Sequence, residues 1–127
     1  MSLKRVLIRE TDGTHLVEMK EVDGVRELPI MIGLAEASAI ERALMEHEPI
    51  RPLTHELLGS ILAATGWRLE RVHIHTLEAQ TFYATMFLVQ DDAVREIDAR
   101  PSDAIALACR AEAKVFVDSE VLDRTGE

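Results

Sequence analysis

Residues 96–110 read EIDARPSDAIALACR and set three charged side chains, a proline and a further aspartate directly before a run of small apolar residues. On an extended chain Glu96, Asp98 and Arg100 fall on one face, with Ile97 and Ala99 on the other. The two carboxylates are then about 7 Å apart, close enough to approach one cation. Asp103 follows in the first turn of a helix that Pro101 is suited to open. Glu96, Asp98 and Asp103 are therefore candidate ligands for Mg²⁺ or Mn²⁺, whose preference is for hard oxygen donors. Arg100 offers a fork for phosphate, and the helix N-terminus adds its own attraction for an anion. A purely structural reading explains the same residues: Pro101 occupies the first helical position, Ser102 and Asp103 complement the helix dipole, and Asp98 pairs with Arg100.

A second cluster, RPLTHELL at residues 51–58, reads as a helix start with Thr54 as N-cap. The dipole biases His55 towards its neutral form, which suits a general base or a metal ligand, whereas Glu56 complements the dipole directly. His73 and His75 share a strand face at a spacing that can chelate a transition metal, but no third ligand stands nearby in sequence. Glu36, three residues after Gly33, is placed to bond back to a capping residue. Cys109 sits among alanines and reads as a small buried hydrophobe. Arg51, Arg68, Arg71 and Arg100 form a phosphate-binding patch only if the two proline-marked helix entrances, Arg51-Pro52 and Arg100-Pro101, lie together. No Ser-His-Asp order, phosphate-cradling glycine loop or zinc spacing is present, and no organic cofactor is expected.

The elements that must carry these residues follow from periodicity. Residues 3–9, 15–22 and 25–33 read as three strands separated by turns at Thr11-Asp12-Gly13 and Asp23-Gly24, with Pro29 marking an edge or a bulge. LAEASAIERALME and HELLGSILAAT read as consecutive helices, with Gly66 at a left-handed C-cap. Three more strands are expected at 67–77, 81–89 and 94–99. The middle one is apolar on both alternating sets of positions, as a central strand is. PSDAIALACRA gives a third helix, KVFVD a last strand, and SEVLD a closing helical turn. The expected fold class is α+β: a mixed, mostly antiparallel sheet of about six to seven strands with three helices, in the order βββααβββαβ.

The 127 residues fit one domain, 1–127, with 47% hydrophobic and 29% charged residues. A formal charge of -9 excludes a high-affinity, sequence-tolerant nucleic-acid coat, so any phosphate chemistry must rest on a local site. A single cysteine excludes an internal disulfide, and neither a secretory h-region nor an 18-residue apolar run is present. A cytoplasmic protein without membrane association is the expectation.

The segments LPIMIGLAEASAIERAL, RPLTHELLGSIL, FYATMFLV and EIDARPSDAIALACR, followed by VFVDSEVLD, resemble in order and spacing the bifunctional nuclease domain family, from about Leu28 to Asp123. The resemblance implies an α+β domain that self-associates, commonly as a dimer, and a nuclease acting on DNA and RNA. It supplies no agreed catalytic set. For phosphodiester cleavage the residues read above take these roles: Asp98 and Asp103 with Glu96 around a divalent ion that activates water, His55 as base, Arg51 and Arg100 on the phosphate. The alternative is a non-enzymatic, homo-oligomeric binding or regulatory module in which these polar motifs are structural.

Overall fold

The computed structural model describes residues 3–11, 16–22, 24, 26–79 and 81–125. Along the chain run β1 (Leu3–Thr11), β2 (Leu16–Glu21), β3 (Glu27–Met31), α1 (Leu34–Leu44), α2 (Thr54–Ala64), β4 (Arg68–Glu78), β5 (Thr81–Gln90), β6 (Ala93–Ala99), α3 (Pro101–Ala111), β7 (Lys114–Asp118) and α4 (Ser119–Thr125). The class is α+β with a mixed sheet, ordered β3-β2-β1-β7-β4-β5-β6. Only the β4–β7 pair is parallel. The expected helical turn at SEVLD is a full fourth helix, so the order closes with α4. The turn expected at Thr11-Asp12-Gly13 lies outside the described residues beyond Thr11, and that at Asp23-Gly24 is described only at Gly24.

Strand placement follows from what each strand can pair with. Pro29 has no backbone N–H to give a second neighbour, and β3 is an edge strand paired only with β2, Pro29 opposite Glu18. β5 is not central as expected: it lies one strand from the opposite edge, between β4 and β6. Its Ala84, Met86 and Leu88 are buried, while Tyr83, Thr85, Phe87 and Val89 on the other face keep contact with solvent. The central position goes to β7, the last strand in sequence. Its Val115 and Val117 are buried, and β1 and β4 flank it.

β6 leaves the sheet edge at Ala99 and the chain returns to the centre at Lys114, so α3 must cross over β5 and β4. That route explains its sequence. Ala104, Ile105, Ala106, Leu107 and Ala108 are all buried, a full helical turn with no solvent face, because the sheet lies on one side of α3 and α1 and α2 pack on others. Its alanines permit that close approach. Residues from α1, α3, α4 and the alternate positions of β2, β3, β4, β5 and β7 form one core cluster. α2 packs more lightly: Leu57, Leu58 and Ile61 remain about half exposed.

Candidate functional site

Three helices begin near one another, and each carries an acid in its first turn: Glu36 in α1, Glu56 in α2 and Asp103 in α3. Partially positive helix N-termini favour carboxylates there. What organises the site is where these acids find their partners. His55 Nε2 lies 2.9 Å from Asp103 Oδ1, joining the start of α2 to the start of α3. Arg100 donates through Nε to Asp103 Oδ2 at 3.0 Å and through Nη2 to Glu36 Oε1 at 3.1 Å, reaching the start of α1. His55, Asp103, Arg100 and Glu36 are thus one polar chain across three helix entrances.

A parallel arrangement lies beside it. Arg42, in the last turn of α1, grips Glu56 with Nε on Oε2 at 2.8 Å and Nη2 on Oε1 at 3.1 Å. Glu56 also accepts from the Leu53 backbone N–H at 3.2 Å, the reciprocal half of a capping box. The cap is Leu53 and not Thr54, which is already helical. Glu56 is only 3% exposed, and the Arg42 guanidinium, through its hydrogen bonds, holds the carboxyl below the usual carboxylate range against the opposing effect of burial. That acid is structural.

His55 differs. The residue is 5% exposed, Nε2 is taken by Asp103, and Nδ1 has no described partner. No described buried side-chain nitrogen or oxygen lacks a hydrogen-bond partner, so Nδ1 reaches solvent. An imidazole oriented by a carboxylate on one nitrogen and open on the other is the arrangement of a general base. Arg100 is 70% exposed at its side chain, and its Nη1 makes no described hydrogen bond. A groove of about 390 Å³ opens beside it, lined by Gly33, Glu36, Phe82, Arg100 and Ser102 among others. A Cβ on Gly33 would stand 2.9 Å from a Glu36 carboxylate oxygen, so the acid packs closely against the glycine backbone.

The structure brings together His55, Arg100, Asp103 and Glu36, and sets Glu96 and Asp98 apart from them. Asp98 pairs in register with Thr85, and Glu96 with Phe87, on the sheet face opposite the buried Ala84, Met86 and Leu88 against which α3 packs. Asp103 is on α3 itself. The sheet therefore stands between the strand carboxylates and Asp103, and the three do not converge on one cation. Arg100 leaves the β6 alternation because the backbone turns into α3 there, so it pairs with Asp103 and not Asp98. Arg51 is exposed and makes no described hydrogen bond or ion pair with the cluster. Among the described residues no three His, Cys, Asp or Glu side chains gather as a metal site. Both Asp103 oxygens and Glu36 Oε1 already accept hydrogen bonds, from His55 and Arg100.

Two residues had weak or no sequence signals. Glu36 bonds to Arg100 and makes no described bond back to Gly33 as a cap would, and Arg42 meets Glu56 across a helix–helix connection that no local spacing encodes. His73 and His75 are each satisfied locally. Arg71 Nε donates to His73 Nε2 at 3.2 Å, and His75 reaches Thr76 and Thr85 hydroxyls at 2.8 and 3.1 Å. His73 packs on Phe87 and Phe116, and burial, then the Arg71 and His75 charges, push its pKa down while Glu96 opposes. Burial pushes the Cys109 thiol up to about 11, which leaves it unreactive at neutral pH.

The chain is 36% identical over 121 residues, 95% of its length and 72% of theirs, to the uncharacterized proteins MT1877 and Rv1829 of Mycobacterium tuberculosis. The bifunctional nuclease domain model matches residues 17–127, which takes in both helix entrances and the whole polar chain between them. With nearly its full length matched, the chain belongs to the bifunctional nuclease domain family.

Proposed function

We propose that the protein hydrolyses phosphodiester bonds of DNA and RNA at the junction of α2 and α3. The observation that carries the reading is the 2.9 Å contact between His55 and Asp103, which unites two helix entrances forty-eight residues apart in sequence. In this reading His55 Nδ1 takes a proton from an attacking water while Asp103 holds the ring and favours the resulting imidazolium. The water oxygen bonds to phosphorus, the ester oxygen leaves and is protonated from solvent. The free edge of Arg100 binds a non-bridging oxygen, and Arg51, exposed on the connection before α2, adds charge for the strand that approaches.

The test is a cleavage assay on end-labelled single-stranded DNA and RNA, run with Mg²⁺, with Mn²⁺ and with a chelator. The wild type is expected to cut, Asp98→Ala to cut at a near-normal rate, and His55→Gln to lose at least about a hundredfold in rate. A wild type that never cuts under any of these conditions overturns the reading.

A second reading has its own observation. After Glu56, α2 carries no further charged residue, and its Leu57, Leu58 and Ile61 are about half exposed. A neutral apolar helix face on an acidic protein suits self-association, and we propose a homo-oligomer built through it whether or not the protein cuts nucleic acid.

A further inference from the structure

One helical turn beyond the His55–Asp103 contact, the space between α2 and α3 widens into a second and larger groove of about 590 Å³. Its floor is apolar, formed by Leu62, Trp67, Leu69 and Leu107. Gly59 and Ala63 line it from α2 and Ala111 from α3, and residues this small leave the space unfilled. Arg68 and Arg110 line it too, while among the described residues no acidic side chain does. A third guanidinium, Arg95, lies 5.6 Å from the Trp67 ring. In a chain with 23 acidic and 14 basic residues, a groove whose charged lining residues are both arginines is complementary to an anion with an apolar body.

We infer that this groove binds a nucleoside monophosphate, with the base against Trp67 and the leucines and the phosphate on Arg68 and Arg110. The volume lies within the roughly 300–1,000 Å³ of small-molecule sites. A flat base gains by stacking on an aromatic ring, and a guanidinium fork matches phosphate oxygens. Arg68 makes no described side-chain hydrogen bond and is free to turn inwards. Arg110 is paired with Glu48 at 3.0 and 3.3 Å, but Glu48 is largely exposed, and such a pair contributes little in water, so a phosphate displaces it. Gly59 follows His55 by four residues and Leu107 follows Asp103 by four, about 6 Å along each helix. A nucleotide in the groove therefore lies beside the proposed base, where a cleaved strand would leave its terminal residue. The choice of a nucleotide rests on the cleavage reading; the shape and charge of the groove do not.

Trp67 is the chain's single tryptophan, so its fluorescence reports on the groove. The full chain is titrated with uridine monophosphate, and in parallel with inorganic phosphate and with benzoate. A saturable change with uridine monophosphate is expected, with inorganic phosphate at least about tenfold weaker because it lacks the stacking contribution. Arg68→Ala should weaken binding about tenfold by removing one charged contact, and Ala63→Leu should abolish it by filling the groove. Should Ala63→Leu fail to fold, Arg68→Ala carries the test alone, since it breaks no described contact. No saturation, equal affinity for inorganic phosphate, tighter binding of benzoate, or an unchanged Arg68→Ala each overturns the inference. Running the cleavage assay and the titration on the same wild-type protein separates the two proposals. Nucleotide binding by a protein that never cuts removes the cleavage reading and leaves the groove standing, whereas cutting without nucleotide binding does the reverse.

Discussion

Glu56 and His55 are sequence neighbours in the first turn of α2, yet their partners give them opposite roles. Glu56 is enclosed by two Arg42 hydrogen bonds and the Leu53 amide, so removing Arg42 leaves a buried carboxylate uncompensated. Arg42→Ala is expected to cost about 3 kcal/mol, read as a fall in denaturant midpoint at neutral pH. Because the folded pKa of Glu56 is depressed, its contribution is fully present above the unfolded carboxyl value of about 4.3 and is lost as pH falls through the lower folded value. The Arg42→Ala penalty should therefore shrink in acid. His73 works with the same sign, at a higher pH. Its folded pKa is lowered by burial and by Arg71 and His75, so the unfolded chain takes up the proton first, and stability falls as pH drops below about 6.5 towards the folded value. Phe87 and Phe116 pack on the ring, and Glu96 only partly offsets the cost of charging it. A His73→Gln variant should show a flatter melting temperature between neutral and mildly acidic pH, and an unchanged slope would assign the loss to other groups.

Among the elements, α3 ties the site to the core. Its N-terminus holds Arg100 and Asp103, and its next turn is packed on every side through Ala104 and Ile105, both 0% exposed. Ala104→Leu forces volume into that space and should destabilise by about 1–3 kcal/mol in thermal or urea unfolding, whereas the same change at exposed Ala111 should cost little. The α3 boundaries were legible in the sequence because Pro101, Asp103 and the alanine run are local signals, and Pro29 marked β3 as an edge or bulged strand, of which the edge is what forms. The place of β5 was not. Its apolar residues on both faces reflect Phe87 packing with His73 and Arg71 as well as the core beneath, and two-sided apolarity does not distinguish that from a central position. β7 owes its centrality to pairing with β1 more than a hundred residues earlier, which no local pattern encodes. For the site, proline and capping signals pointed to both helix entrances, and His55 with Asp103 and Arg100 came from them. Alternation correctly put Glu96 and Asp98 on one face, but strand alternation alone does not say which face the following helix will cover.

At the scale of the whole molecule, the acidic surface, the uncharged stretch of α2 and the polar chain at the helix entrances make separate demands. Charge keeps copies apart except where charge is missing, so if the proposed homo-oligomer forms through α2, Ile61→Glu on its exposed face should shift it towards monomer in analytical ultracentrifugation. An unchanged sedimentation coefficient would place the interface elsewhere. The helix-entrance cluster needs no partner chain to form, since His55, Asp103, Arg100 and Glu36 all come from one chain. What it requires is that α2 and α3 start side by side and that their two side chains act as one unit. A double-mutant cycle on phosphodiester cleavage tests that most directly. His55→Gln and Asp103→Asn should each slow cutting by about a hundredfold or more, and the double variant should be no slower than the worse single one, as for residues that act together. Single effects that multiply in the double variant, or cutting that survives both changes, would contradict a shared role for the two helix entrances.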